Sequence, residues 1–189
     1  MKHLALLILL FTLGVSQEKW NVDATHSSVG FTITHMLVSE VDGKFNRFSG
    51  TVETKDGSFD GATIKISVDP SSVDTNNDDR DGHLRSPDFF DVKKYDKISL
   101  VSKSFKQIKG KKYKLVADLT FHGVTKEVVF DVKHIGSYES GGKALAGFKA
   151  EATINRKDFG VTWNKTLDKG GLALSEEVEL EIKIELKKA

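Results

Sequence analysis

The chain has 189 residues, of which 28 are basic and 27 acidic, and it contains no cysteine. A charge this close to balance gives no support to nucleic-acid binding, which requires a clustered excess of basic residues. Without cysteine there are no disulfides and no lipid-modified cysteine anchor, so one domain must be stabilised by its own core, which roughly 170 residues can form.

The first 16 residues have the features of a secretory signal peptide. Met1-Lys2-His3 precedes the apolar run LALLILLFTL, and the small residues Gly14-Val15-Ser16 follow it. The apolar run is too short to span a bilayer. We therefore expect cleavage after Ser16, a mature domain over residues 17–189 without net charge, and a periplasmic or secreted location.

Alternating apolar and polar residues predict β-strands over most of the remaining chain. The clearest example is SSVGFTITH, in which Val29, Phe31, Ile33 and His35 share one face. The strands predicted in this way cover residues 18–23, 27–35, 41–54, 62–68, 97–105, 112–121, 127–135, 145–157 and 177–187.

Turn signals separate these strands, and a bulge or bend is expected near Asn46-Arg47 within the third of them. The predicted turns are Asp42-Gly43, Asp56-Gly57, Lys109-Gly110, His122-Gly123 and Ser140-Gly141-Gly142. Long antiparallel strands joined by short hairpins favour a closed barrel, because closure removes exposed sheet edges. We predict an all-β, eight-stranded antiparallel barrel, whose interior is either filled by side chains or holds one small ligand.

The segment RDGHLRSPDFFD at residues 80–91 interrupts the strand pattern. Asn77 or Asp78 can cap a short helix there. Because a single helical turn is unstable alone, Leu84 and the pair Phe89-Phe90 must pack against something larger. The sequence predicts a short helical lid over the barrel mouth, and the alternative is a hydrophobic plug that completes an ordinary core.

Several spaced motifs resemble those of the YceI-like family, in the same order and over essentially all of residues 17–189. They are WNVDATHS at 20–27, FTITH at 31–35, GKF at 43–45, LRSPDFFDV at 84–92, LTFHGVT at 119–125 and NRKDFG at 155–160. The resemblance implies an exported, lipocalin-like barrel with an elongated apolar cavity that binds a polyisoprenoid chain. It also implies a short helix near the cavity opening.

The predicted ligand-binding residues lie on the inward faces of the strands and on the lid. The apolar candidates are Phe31, Ile33, Phe45, Phe48, Ile64, Ile66, Leu84, Phe89, Phe90, Leu100, Leu119, Phe121, Phe130, Phe148, Ile154, Ile182 and Ile184. For each of them, ordinary core packing is the alternative role.

Four polar residues are candidates for contact with a ligand head group. His83 and Arg85 lie on the predicted lid, and His35 continues the inward face of its strand. Arg156 suits an anionic head equally well, or it forms a structural pair with Asp158.

The function predicted is lipid binding without catalysis. The chain lacks HExxH, GxSxG and glycine-rich phosphate-binding motifs. The adjacent His26-Ser27 is expected to satisfy backbone groups in a turn and is no evidence of a catalytic triad. We expect no metal and no required cofactor; the partner is an isoprenoid quinone or polyprenyl phosphate type of lipid, bound for carriage, storage or sequestration.

Two other functions remain open at this stage. The barrel could bind another amphiphile, such as a fatty acid or fatty amide, or it could be a secreted stress or interaction protein without a ligand. Transient membrane contact is compatible with lipid binding, and the pattern leaves monomer and dimer open.

Overall fold

The computed structural model describes residues 16–167 and 171–189, so the predicted leader lies outside the described residues except for Ser16. The strands are β1 (Gln17–Val22), β2 (Ser28–His35), β3 (Ser39–Phe45), β4 (Phe48–Lys55), β5 (Ser58–Val68), β6 (Val73–Asp74), β7 (Ile98–Lys109), β8 (Lys112–Phe121), β9 (Val124–Ser140), β10 (Lys143–Asn155) and β11 (Leu174–Lys188). A helix, α1 (Asp78–Leu84), follows β6, and 3-10 turns cover Pro70–Ser72 and Arg156–Phe159.

The strands form one antiparallel sheet that closes on itself through the pairing of β1 with β11. Strands β1 and β2 are two halves of one bent strand, because both pair with β11, and β3 and β4 run alongside them in the same way. When β1 with β2 and β3 with β4 are each counted as one bent strand, eight strands follow one another around the barrel. This confirms the predicted fold. The short β6 extends the edge of β3 at one end.

The period-two pattern explains why these residues form the wall of a barrel. In β8, Tyr113, Leu115, Ala117, Leu119 and Phe121 are buried and alternate with less buried residues. Successive side chains of a strand point to opposite faces, so each strand places one face inside and the other towards solvent.

The predicted turn at Asp42-Gly43 is wrong, because both residues lie inside β3. Gly43 pairs with Phe31 of β2, and a Cβ built on it would lie only 2.2 Å from Phe31 Cζ. This glycine therefore makes room for an aromatic ring. The chain reverses direction earlier, at Met36-Leu37.

The other predicted turns and the bend near Asn46-Arg47 are confirmed. Gly57, Gly110, Gly123, Gly141 and Gly142 all have positive φ at the hairpins, a conformation that glycine adopts without steric cost. The bend separates β3 from β4, where the backbone N–H of Asn46 donates to the carbonyl oxygen of Ser72 (3.1 Å).

The bend between β1 and β2 is held by the side chains of the WNVDATHS motif. Ser27 Oγ accepts a hydrogen bond from the backbone N–H of Glu185 (2.9 Å), and Asp23 Oδ2 contacts His26 Nδ1 at 2.7 Å. The expectation that His26-Ser27 satisfies groups in a turn is thereby confirmed.

An aromatic cluster fills the barrel end that carries the β7–β8 and β9–β10 hairpins. Phe59 lies 5.2 Å from Trp20 and 4.9 Å from Phe148 between ring centroids, and Phe105 stacks on Tyr113 at 4.8 Å. Such packing fills much of this end of the barrel, which we call the closed end. None of the helices within residues 16–167 and 171–189 is long and apolar enough to cross a membrane.

Candidate functional site

The opposite half of the barrel encloses an apolar cavity of about 340 Å³ between the strands and the segment that contains α1. Most of the predicted ligand-binding residues line it. They are Phe31, Ile33, His35, Phe45, Ile66, His83, Leu84, Phe89, Phe90, Leu100, Leu119, Phe121, Phe130, Ile154, Arg156 and Ile182. We call this space the upper cavity.

The remaining predicted residues lie elsewhere. Ile64, Phe148 and Ile184 line a second cavity of about 70 Å³, the lower cavity, next to the aromatic cluster. Phe48 and Arg85 line neither cavity. The guanidinium group of Arg85 instead donates to the carbonyl oxygens of Ser71 (2.9 Å) and Val73 (2.8 Å), so it holds the lid segment to β6.

Four residues line both cavities and form a neck between them: Ile66, Leu100, Phe130 and Ile182. Phe130 is fully buried and Leu100 is 6% exposed. The two cavities are therefore neighbours along the barrel, and the side chains of the neck separate them.

Sequence reasoning missed a further part of the upper cavity. These residues are Val29, Gly30, Val41, Val68, Thr75, Arg80, Ile98, Ser99, Val161, Trp163, Leu174, Val178 and Leu180. The alternation of β11 could have identified Val178 and Leu180, because they share a face with Ile182. Trp163 lies in a loop and has no periodic signal.

The lid segment begins with a capped helix. Asn77 Oδ1 accepts a hydrogen bond from the backbone N–H of Arg80 (2.9 Å), which confirms one of the two predicted caps. The buried Asp81 accepts from the backbone N–H (3.0 Å) and hydroxyl (2.6 Å) of Thr75. These bonds fix α1 at the end of β6, over the cavity.

Two aromatic layers close the upper cavity beneath and beside α1. Phe90, which is 9% exposed, packs among Phe45 (5.7 Å) and Phe121 (5.6 Å) of the barrel wall. Phe89 packs 5.2 Å from Trp163 and 5.0 Å from the ring of His83. The predicted lid is thus in contact with the loop after β10.

Arg156 is the buried charged residue of the upper cavity, with 3% exposure. Its Nε donates to the carbonyl oxygen of Ser175 (2.9 Å), and its Nη1 donates to those of Val161 and Trp163 (both 2.8 Å). The alternative ion pair between Arg156 and Asp158 is not found among the described residues. The guanidinium group donates its hydrogen bonds to backbone carbonyl oxygens instead.

One guanidinium nitrogen of Arg156, Nη2, is buried and has no hydrogen-bond partner within the described part of the chain. Burial lowers the pKa of Arg156, while the carboxylate of Glu176 acts in the opposite direction. A buried donor of this kind gains free energy from any acceptor that reaches it.

A second cluster of polar groups lies outside the cavity, at the bend between β1 and β2. Asp23, His26 and Glu185 bring ligand-type atoms within 4.8 Å of one another. However, Lys187 Nζ lies 2.5 Å from Asp23 Oδ2, so an ammonium group already neutralises this carboxylate. Hydrogen bonds from Lys187 and His26 hold the pKa of Asp23 well below its usual range, and Asp23 in turn raises the pKa of His26.

Comparisons with known proteins agree with this architecture. The model of the YceI-like domain matches residues 20–186. The UPF0312 protein SAS2572 of Staphylococcus aureus (strain MSSA476) is 38% identical over 165 residues, which cover 86% of this chain and 94% of that protein.

Two solved structures are similar in fold. The YceI protein of Campylobacter jejuni is 30% identical with a TM-score of 0.73, over 96% of this chain and 99% of that one. A polyisoprenoid binding domain from Saccharophagus degradans has a TM-score of 0.63 over 90% of this chain and 98% of that one. At 17% identity the second comparison concerns the fold alone.

Proposed function

Since the chain belongs to the YceI-like family, we propose that its barrel binds a polyisoprenoid lipid of the isoprenoid quinone or polyprenyl phosphate type. The observation that carries this proposal is the apolar upper cavity of about 340 Å³ under the lid segment. The fold shared with a polyisoprenoid binding domain supports it. Family and fold both point to a binding protein and not to an enzyme.

Transfer energetics indicate what such a site must recognise. At about 0.8 kcal/mol per buried CH₂, a tail of about forty carbons would gain over 30 kcal/mol relative to water, beyond the ceiling of about 18–21 kcal/mol for noncovalent affinity. The tail starts in a membrane, however, and moves from one apolar medium to another. Selectivity therefore comes from the shape of the cavity and from polar contacts with the head group.

The size of the cavities constrains the tail. The upper cavity is near the lower limit of ligand sites, which run from about 300 to 1,000 Å³. We expect a longer tail to extend past the neck into the lower cavity, with a change of rotamer at Ile182 or its neighbours in the neck.

The head group is expected at the lid end, where the polar residues of the upper cavity are found. Arg156 offers the unpartnered Nη2, and Arg80, His83 and Thr75 also line the cavity there. A phosphate or quinone oxygen near Nη2 would accept a charge-assisted hydrogen bond.

Extraction of the purified protein tests the proposed ligand. Protein produced in a membrane-containing host is analysed by native mass spectrometry and by organic extraction, and we expect a copurified isoprenoid lipid. Competition between a prenyl and a saturated chain of equal length distinguishes the alternative amphiphile, because the branched chain needs a wider cavity. Repeated recovery of empty protein, with a melting temperature that added polyprenyl lipid does not raise, would reject lipid binding.

We further propose that the protein is exported and acts in carriage, storage or sequestration outside the cytoplasm, because residues 1–16 have the composition of a secretory signal. Cell fractionation and N-terminal sequencing test this part. We expect the exported form to begin at Gln17. An intact Met1 on cytoplasmic protein would contradict export while leaving lipid binding open.

A further inference from the structure

The turn between β2 and β3 exposes three consecutive apolar side chains to solvent. Met36 is 44% exposed, Leu37 72% and Val38 86%. Leu172, at 37% exposure, belongs to the same surface, because its neighbour Gly171 lies beside Leu37 Cδ1. We call these four residues the apolar tip. Exposed runs of this kind are unusual on a soluble surface unless they bind something.

The backbone of the apolar tip holds its side chains in an uncommon conformation. The backbone N–H of Val38 donates to the carbonyl oxygen of His35 (3.2 Å), and φ is 52° at Met36 and 64° at Leu37. Both values lie in the left-handed region, which favours Gly, Asn and Asp.

Other non-glycine residues with positive φ are of the types that tolerate it. Within residues 16–167 and 171–189 they are Asp56, Asn76, Asp91 and His122. Met36 and Leu37 are the exceptions, and a turn of this type would be more stable with Asn and Gly at the same positions. Stability alone therefore does not explain the apolar residues.

The apolar tip is continuous with the mouth of the upper cavity. His35, immediately before it, lines the cavity, and so does Leu174, which pairs with His35 across the sheet. The backbone N–H of Met36 donates to the carbonyl oxygen of Ala173 (2.8 Å). A surface that contacts the tip would therefore lie against this rim of the upper cavity.

Charged residues of both signs border this rim, so net charge gives little attraction to an acidic surface. Helix α1, on the same end of the barrel, has the exposed residues Asp78, Asp79 and Arg80, and the exposed Lys165 lies beside the tip. In contrast, the β7–β8 hairpin at the closed end carries Ile108, which is 64% exposed, next to Lys109 and Lys111. Any association through the apolar tip must depend on apolar burial and should resist salt.

We propose that the apolar tip inserts into the surface of a lipid bilayer and holds the mouth of the upper cavity against it while lipid enters or leaves. This inference rests on the proposed function, because a membrane is the source of the lipid. Met36, Leu37 and Val38 would enter the interface between head groups and acyl chains, where apolar side chains of surface-bound proteins reside.

Flotation with phosphatidylcholine vesicles tests this docking. The double variant Met36→Asn/Leu37→Asn removes both long apolar side chains, and Asn tolerates the left-handed conformation, so its melting temperature should not fall. We expect about a tenfold or greater loss of vesicle partitioning, equal at low and high salt.

Ile108→Asn is the matched control, because it removes an exposed apolar side chain from the opposite end of the barrel. It should leave vesicle partitioning unchanged. Loss of partitioning in Ile108→Asn, with normal partitioning in the double variant, would overturn the proposal.

Measuring bound lipid in the same samples separates this inference from the proposed function. Unchanged lipid content with slower transfer from the double variant to vesicles supports docking. If the wild-type protein contains no lipid and still floats with vesicles, whereas the double variant does not, the result supports docking and rejects carriage. Wild-type protein that carries lipid but does not float would overturn docking and leave the proposed function standing. The same conclusion would follow if the wild type formed a dimer that Met36→Asn/Leu37→Asn converts to monomer, because the apolar tip would then be a contact between two copies of the chain.

Discussion

Arg156 has a structural and a recognition role that can be separated by experiment. The variant Arg156→Gln removes the guanidinium group that donates hydrogen bonds to the carbonyl oxygens of Ser175, Val161 and Trp163. Each unsatisfied buried carbonyl costs about 1–3 kcal/mol, so we expect a loss of about 2 kcal/mol or more in the free energy of unfolding. Urea denaturation measures this change.

Lipid retention then shows whether Arg156 also contacts a head group. We expect Arg156→Gln to reduce retention of a polyprenyl phosphate more than that of the polyprenol with the same tail. Arg85→Gln is the control, because Arg85 bonds backbone carbonyls and lines neither cavity. Equal losses for both lipids would assign Arg156 to structure only.

The bend between β1 and β2 should make stability depend on pH. Asp23 raises the pKa of His26 above 6.5, so the contribution of His26 to stability is complete below that value and disappears as pH rises through the folded-state pKa. The lowered pKa of Asp23 has the opposite effect on the pH dependence of stability, because the contribution of Asp23 to stability is lost only as the pH falls through its folded-state pKa.

The variant His26→Gln tests this dependence. Its urea midpoint should fall below that of the wild type at about pH 5.5 and approach it at about pH 9, where the imidazole is neutral in both states. Denaturation curves at the two pH values provide the comparison. A deficit that is equal at both would show that protonation of His26 does not matter.

At the scale of elements, the lid segment is a gate only if it controls exchange. Phe90→Ala should cost about 3–5 kcal/mol, because the ring is buried against Phe45 and Phe121. If the segment gates the upper cavity, the same variant should also accelerate lipid exchange, measured with a fluorescent polyprenyl analogue.

Trp20→Ala supplies the control for the lid. Trp20 is 7% exposed in the aromatic cluster at the opposite end and lines neither cavity, so its loss should destabilise the protein to a similar extent without changing exchange. If both variants accelerate exchange equally, the effect follows from lost stability, and Phe90 is a plug and not a gate.

At the scale of the whole molecule, the neck should limit tail length. Ile182→Ala removes part of the side-chain wall between the two cavities, and because Ile182 is only partly buried the cost should lie near the lower end of about 2–5 kcal/mol. We expect the variant to retain longer prenyl chains than the wild type, as determined by mass spectrometry of lipids taken from a mixture of lengths.

Ile184→Ala is the matched control for the neck, because Ile184 lines the lower cavity alone. It removes the same atoms from the wall of the lower cavity and leaves the four neck residues unchanged. A similar shift in tail length for both variants would indicate that total volume, and not the width of the neck, determines the preference.

The sequence by itself determined the barrel, most of its hairpins, the capped lid helix and many of the residues that line the cavities. These features depend on short-range effects: side-chain alternation in a strand, the conformational freedom of glycine, and the capping oxygen of Asn77. The misplaced turn at Asp42-Gly43 shows the limit, because what Gly43 does depends on a ring from the neighbouring strand.

Only the tertiary structure decided that the interior is hollow and which residues surround the space. A cavity is what remains after all eight strands have packed, so no single strand encodes its volume. The structure alone shows that Arg156 lines the upper cavity whereas Arg85 lines neither cavity, and it brings Trp163 against Phe89. These contacts join distant segments, and periodicity along one segment carries no information about them.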